Sequence, residues 1–338
     1  MELSPSSIAA AFGLGAPTGP LVAITSGPSA MHRSWRLSTS RGRFAVKALS
    51  RGQHPGGVEA LEGPVRLELA ALAAGVPMPR PCLAVATGAG VAEVAGPGPH
   101  PVLVRIHEWV EGTTPTAPAA TGLAGELGAA LAAIHRVGFP CGEDTQVGRW
   151  YRAAHGAAHW RELAERAERA GRGWAGRLRA TLPLLAEVEA LVAARAAETV
   201  PLLVTHADLV PGNVLVSVEG RPWIVDWDDA GPWNPAEEVA AAVVSWSSGA
   251  HGEPDERVAL ALVEGYRQAG GGFQEHSPTV LAGSLSAVAN WLELNVRRSL
   301  SEAANQPFRS RAEAEVAGAL SALAWRLARR DRWMELLG

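Results

Sequence analysis

The sequence predicts an α+β chain with a small β-rich amino-terminal lobe and a larger, mostly helical carboxy-terminal lobe. Three observations predict it. Alternating β-prone runs separated by turn residues fill the chain from about position 20 to 110. A turn-rich stretch, Glu111-Gly112-Thr113-Thr114-Pro115 continuing through Pro118, follows them. Beyond it, apolar residues recur at helical spacing over most of the remaining chain. The boundary falls at 110, giving lobes of 1–110 and 111–338. A length of 338 residues allows one or two domains, and 47% hydrophobic against 19% charged residues supplies a sizeable core.

Each element has its own signal. Leu21-Val22-Ala23-Ile24-Thr25 is a β-rich run, and Ser26-Gly27-Pro28-Ser29 a turn. Trp35–Thr39 and Phe44–Leu49 alternate on either side of Arg41-Gly42-Arg43, completing a meander. Pro64–Ala74 reads as a helix closed by Gly75, with Pro77 and Pro79 beyond it. Pro101–Ile106 is a further strand. Leu127, Leu131 and Ile134 mark a helix over 123–135, and 160–197 is a long helical region interrupted near Gly171–Gly173 and at Pro183. Short apolar runs at 202–204, 214–218 and 223–225 are strand-like. Helices at about 236–248, 255–269, 278–300 and 310–336 finish the chain.

Composition excludes several classes. Thirty Lys+Arg against 34 Asp+Glu gives a net charge of −4, so neither a nucleic-acid backbone nor a membrane surface is an expected partner. No run of about 18 uninterrupted apolar residues reads as a membrane span. The amino terminus lacks the positive region of a secretory signal, and two cysteines, Cys82 and Cys141, cannot form a disulfide framework. A reduced cytoplasmic setting is the expectation.

Two residue types are distributed unevenly. Lys47 is the only lysine among 30 cationic side chains, and it ends the alternating run Phe44-Ala45-Val46-Lys47. Of seven aspartates, four (Asp208, Asp226, Asp228 and Asp229) fall between 208 and 229, which fits a divalent-cation site. They sit in Thr205-His206-Ala207-Asp208-Leu209-Val210-Pro211-Gly212-Asn213 and in Ile224-Val225-Asp226-Trp227-Asp228. Phosphoryl transfer needs such parts: a carboxylate to orient and deprotonate a hydroxyl, and an amide oxygen and a second carboxylate to hold Mg2+. A hairpin turning at Glu219-Gly220 would set Asn213 and Asp226 side by side.

On HADLVPGN and DWDDAG the chain resembles the aminoglycoside phosphotransferase and choline kinase-like family, over about 20 to 300. The resemblance implies a bilobal protein-kinase-like fold, with 1–110 as the nucleotide-binding lobe and 111–338 carrying the catalytic loop and acceptor pocket. It implies Asp208 as catalytic base, Asn213 and Asp226 as metal ligands, and His206 as a brace of the loop. Ala207 stands where relatives commonly carry glycine. Lys47 would be the nucleotide-binding lysine, steadied by a helix glutamate; Glu68 is the choice, with Glu59 and Glu62 as rivals. The loop 26–32, with Ser29, would cover the phosphates. Backbone groups of Glu108 and Val110 would pair with the purine edge. Trp291, Asn295 and Arg297 lie on a late helix of the kind that borders the acceptor pocket in relatives. Loss of Asp228 is expected to weaken Mg2+-dependent nucleotide binding less than loss of Asp226.

The function implied is transfer of the γ-phosphate of ATP or GTP, with Mg2+, to a hydroxyl of a small molecule. An antibiotic is the leading acceptor: an aminoglycoside, or a nucleoside or peptide antibiotic. A metabolic kinase of an amino sugar or amino alcohol shares every motif, and a nucleotide-binding pseudokinase is the non-enzyme alternative. His155 and His159, four apart, read as polar surface histidines rather than a metal pair.

Overall fold

The computed structural model describes residues 3–24, 33–49, 58, 61–96, 100–139, 141, 147–152, 154–272, 277–301 and 306–338. The chain divides into two compact units. Met1–Pro115, Ala133–Phe139 and Val204–Gly231 form the first, and Thr116–Ala132, Pro140–Leu203 and Pro232–Gly338 the second.

The first unit is built on an antiparallel sheet. Strands β1 (Val22–Ala23), β2 (Arg33–Thr39), β3 (Gly42–Leu49), β4 (Ala92–Val94) and β5 (Val102–Glu108) lie in the order β1-β2-β3-β5-β4. The two-residue period of a strand then sorts the side chains. Phe44 and Val46 of β3, with Val104 and Ile106 of β5, join Leu37, Ile8 and Phe12 in a buried core on one face. Helix α1 (Pro5–Ala11), opened by Pro5 and capped by Ser4, brings Ile8 to that core. No helix is expected there from the sequence. Seven residues are too few to show a helical period, and burial against the sheet sustains the turn instead.

The opposite face carries the alternate residues. Leu49 and Leu103 pack with Leu61, Val65 and Val91 beside helix α2 (Glu62–Ala73). By the same alternation Lys47, Arg105 and His107 share this face, with Lys47 directly across from Arg105 and Ala45 across from His107. Helix α2 begins two residues earlier than expected and gives way to Gly75 at φ +83°, a left-handed stop that glycine adopts freely.

The remaining helices are α3 (Thr121–Val137), α4 (Arg149–Arg152), α5 (Ala157–Arg169), α6 (Ala175–Ala196), α7 (Pro235–Ser247), α8 (Glu256–Gln268), α9 (Ala282–Leu300), α10 (Gln306–Ala328) and α11 (Arg330–Leu337). Within the second unit α9 is central, packing on α4, α5, α6, α7 and α10. Helices α3 and α8 approach so closely that a methyl at Gly128 would strike the Leu262 carbonyl, and one at Gly265 the Gly125 carbonyl. Two expectations change here. Pro183 lies inside α6 rather than interrupting it, because burial of Leu178, Leu185, Val188 and Val192 outweighs the one backbone bond that proline forfeits. The expected helix over 310–336 is two helices that break at Arg329. Strands β6 (Leu203–Thr205), β7 (Val214–Val216), β8 (Pro222–Ile224) and β9 (Gly231–Trp233) complete the described elements, β4 and β9 without a sequence signal.

Candidate active site

The residues from 204 to 231 belong to the first unit. After β6 the chain turns through Ala207 at φ +64°, a left-handed conformation that disfavours any Cβ. Glycine, which the resemblance leads one to expect at this position, would adopt that backbone freely. His206 is buried, and its ring is held at both nitrogens. The Asp208 N–H donates to Nδ1 (3.3 Å), and Nε2 donates to the Val225 carbonyl (3.2 Å). With one nitrogen accepting and the other donating, the ring is the neutral Nε2–H tautomer. Its edge also meets Trp227, at 4.7 Å between ring centres. The geometry makes His206 a brace that ties the Asp208 loop to the residue before Asp226.

A single 3-10 turn, Pro211–Asn213, follows Asp208. The Asn213 amide donates to both the carbonyl (2.9 Å) and the carboxylate Oδ2 (2.7 Å) of Asp208. Both donor hydrogens are thereby spent, which leaves Oδ1 as an oxygen for a cation. Strands β7 and β8 pair antiparallel with Val214 opposite Ile224, turning at Gly220 (φ +83°). The ladder is extended by the Val225 N–H, which donates to the Asn213 carbonyl (2.9 Å). Asp226 comes next, left-handed at φ +65°, a conformation that aspartate tolerates better than most residues.

The sheet supplies the cation. Lys47 Nζ lies 2.6 Å from Asp226 Oδ1 and 2.6 Å from Asp228 Oδ2. Burial works against its ammonium, but the Asp228 and Asp226 carboxylates more than offset this, and its pKa stands above the ordinary lysine value. The other Asp228 oxygen, Oδ1, accepts from Arg105 Nη1, and Arg105 Nη2 donates to Glu68 Oε2. His107 Nε2 is 2.5 Å from Glu68 Oε1. Arg105 is 1% exposed and Glu68 not exposed at all. Burial raises the Glu68 and Asp228 pKa values, yet His107 and Arg105 around Glu68, and Arg105 and Lys47 around Asp228, leave both carboxyls below the usual range.

The residues expected at the site are thus distributed as follows. Lys47, Asp226, Asn213 and Asp208 come together around the β7–β8 hairpin. Glu68 does not meet Lys47; it is buried against Arg105 and His107. The cause is register: Arg105 faces Lys47 across β3 and β5, and its forked guanidinium claims the helix carboxylate. Glu62 is exposed, while Glu59 and the loop 26–32 with Ser29 lie outside the described residues. Glu108 closes β5, and its N–H donates to the Arg80 carbonyl (2.9 Å), so only its carbonyl remains for a ligand. Among the described residues the Val110 N–H has no partner. A cleft of about 640 Å³ beside Glu108 and Val110 is lined also by Met78, Arg80, Arg221 and Trp223; its lining does not include Lys47, Asp208 or Asp226.

Sequence reasoning missed Arg105. Its signal was present: an arginine in the middle of Val102-Leu103-Val104-Arg105-Ile106, a run apolar on both sides, implies a buried charge with partners. In the second unit, Trp291 Nε1 donates to Glu315 (3.0 Å), Asn295 is buried on the Trp291 carbonyl (2.9 Å), and Arg297 lies on Glu293. His155 and His159 are partly buried rather than free on the surface, bonded to Asn290 (2.8 Å) and Glu293 (3.1 Å) of α9.

Comparison with known proteins bears on this arrangement. A profile described as the phosphotransferase enzyme family matches residues 23–272. No curated protein sequence matches the chain. Among solved structures, the amicoumacin kinase hAmiN in complex with AMP-PNP, Ca2+ and Ami is similar at 15% identity and TM-score 0.61, covering 95% of this chain and 91% of its own. Spectinomycin phosphotransferase in complex with ADP and spectinomycin is similar at 12% identity and TM-score 0.61, covering 91% and 93%. The choline kinase LicA from Streptococcus pneumoniae follows at 13% identity and TM-score 0.56, covering 92% and 95%. The shared fold is therefore the kinase-like one expected from the motifs.

Proposed function

The chain belongs to the phosphotransferase enzyme family, and on that premise we propose that it transfers the γ-phosphoryl group of ATP or GTP to a hydroxyl of a small molecule. The observation that carries this reading is the convergence of Asp208, Asn213, Asp226 and Lys47 on one hairpin. In this reading residues 1–110 form the nucleotide-binding lobe, with Glu108 and Val110 at the base and Ser29 in the loop over the phosphates. Residues 111–338 carry the catalytic segment and the acceptor pocket.

Asn213 Oδ1 and the Asp226 carboxylate are hard oxygen donors that fit Mg2+, which when bound would neutralise charge on the phosphates. Lys47 places a compact positive charge beside the same carboxylate and would reach the α- and β-phosphates as a point charge. Asp208 accepts the proton of the acceptor hydroxyl as its oxygen attacks phosphorus. Its carboxylate is aimed by the Asn213 amide, and the loop that bears it is braced by His206. In this reading transfer is direct and in line from nucleotide to acceptor, with no phospho-enzyme.

An antibiotic is the acceptor class we favour, and the structural likeness to an amicoumacin kinase and a spectinomycin phosphotransferase supports it. The likeness to a choline kinase supports an amino alcohol as the second choice. A cytoplasmic setting belongs to the same proposal: the described helices include none long and apolar enough to cross a membrane, and both cysteines are unpaired. The test is direct. The purified chain, with Mg2+ and γ-labelled ATP or GTP, is offered a pool of antibiotics and amino alcohols, with Asp208→Asn as control. Label transfer to an antibiotic, absent in the control, is the expected result; transfer to an amino alcohol alone would select the second reading.

A further inference from the structure

We propose that Arg105 is a positioning residue for Lys47, acting through Asp228, and that Glu68 serves Arg105 rather than the lysine. The inference deepens the reading of Lys47 as a nucleotide-binding residue and rests on it.

Lys47 and Arg105 stand directly opposite on neighbouring strands and share one face of the sheet. Like charges in that relation repel, and burial strengthens the repulsion. Asp228 reconciles them. Its Oδ2 lies 2.6 Å from Lys47 Nζ, and its Oδ1 accepts from Arg105 Nη1. A carboxylate shared between two cations on separate strands has one geometry that suits both, so the orientation of Asp228 is set by Arg105, and the place of the Lys47 amine is set by Asp228.

The rest of the guanidinium completes the chain. Arg105 Nη2 donates to Glu68 on α2, and the second Glu68 oxygen is taken by His107, two residues along β5 from Arg105. A planar fork with donors on two sides can span two carboxylates at once, which an ammonium cannot do. The order Lys47, Asp228, Arg105, Glu68, His107 therefore joins β3, the turn Trp227–Asp229, β5 and α2 into one series, buried at Asp228, Arg105 and Glu68 and half-buried at its two ends. Within it each oxygen of the helix acid has a partner, Arg105 on one and His107 on the other, and neither is the lysine. Helix α2 influences Lys47 only at two removes, through Arg105 and Asp228.

Because Lys47 is the only lysine, selective 15N-lysine labelling yields a single Nζ resonance. In nucleotide-free protein, Asp228→Asn and Arg105→Gln should displace that resonance or broaden it away. Both should weaken Mg2+–AMP-PNP binding by roughly tenfold or more, the loss expected when a hydrogen bond to a charged group is removed. Glu68→Gln should leave the resonance in place and the affinity within about threefold. A resonance displaced as far by Glu68→Gln as by Asp228→Asn would overturn the inference, because the glutamate would then hold the lysine. Arg105→Gln strands the buried Glu68 charge and can fail to fold, so the double variant Arg105→Gln/Glu68→Gln, which removes both charges, is made in parallel. The same displacement is expected there, and an unchanged resonance refutes the role of Arg105. Undiminished AMP-PNP affinity in Lys47→Met would bring down the nucleotide-site reading, an outcome distinct from failure of the inference, which is read from the resonance.

Discussion

The segment proposed as catalytic and the cluster around Arg105 both assemble acids with their partners, but they do so over different distances along the chain. In the segment, Asn213 reaches Asp208 across five residues and His206 reaches Val225 across 19. In the cluster, Glu68 and Arg105 are 37 apart and Arg105 and Asp228 123. The segment is also wetter: the Asp226 side chain is 39% exposed, against 1% for Arg105 and none for Glu68. The difference separates two duties. Local, partly hydrated groups can change partners during a reaction, whereas buried long-range pairs are held by the fold and in turn hold it. Breaking the cluster should damage folding, and breaking the segment should damage turnover.

The largest effect is expected where the two regions meet. Asp228→Ala leaves Arg105 and Lys47 facing each other with no carboxylate between them, and should lower unfolding free energy by about 3–5 kcal/mol in denaturant titration. A loss under about 1 kcal/mol would make the cluster dispensable. From the sequence, Asp228→Ala is expected to weaken Mg2+-dependent nucleotide binding less than Asp226→Ala; the stability loss expected here is a separate quantity. Asp208→Asn should leave stability and Mg2+–nucleotide affinity nearly intact while lowering turnover at least ~10²-fold, since a positioned base contributes about that much. Unchanged turnover in a steady-state assay would remove Asp208 from the role of base. Ala207→Gly relieves the Cβ at φ +64° and should stabilise by about 0.5–1 kcal/mol, the strain released less the entropy that glycine adds to the unfolded chain.

The smallest expected effect depends on pH. Crowding by surrounding atoms, with the Asp226 and Asp228 charges, pushes the Asp229 carboxyl up to about 6. A folded-state pKa above the unfolded one favours the protonated form, so its contribution is whole below about pH 4 and fades as pH rises through 6. The Asp229 side chain keeps contact with water, which discounts the effect. In metal-free protein Asp229→Asn should therefore be neutral at pH 4 and stabilising by at most about 1 kcal/mol at pH 8. A gain equal at both pH values would show that charge is not the cause.

The same contrast of distances explains what could be read from the sequence. Asp208, Asn213 and Asp226 were legible because a motif and one short hairpin fix their relation, and both lie within 21 residues. Lys47 was legible because no other lysine competes with it. The partner of Lys47 was not, since it depends on which residue of β5 falls opposite and on how α2 lies over the sheet, and neither is written locally. Arg105 was hidden for a compositional reason: where arginine does nearly all the cationic work, one more draws no notice. Helix α1 and strands β4 and β9 were missed because three to seven residues, some of them Gly and Pro, carry no period. Pro183 misled because its penalty is local while the burial that outweighs it is not.

The depth of Arg105 has a further consequence, in its response to ionic strength. Counter-ions screen charges over about 8 Å at 0.15 M salt, but only where solvent can enter. Exposed pairs such as Arg332 with Glu256, or Arg179 with Glu168, stand in that solvent and should weaken as salt is added. Arg105, Glu68 and Asp228 are nearly closed to it, so the field these three cast on Lys47 should be nearly the same in dilute buffer and in concentrated salt. Any salt dependence of nucleotide binding would then report on the nucleotide's own approach and on Asp226 at the rim, with the interior charges as a constant background.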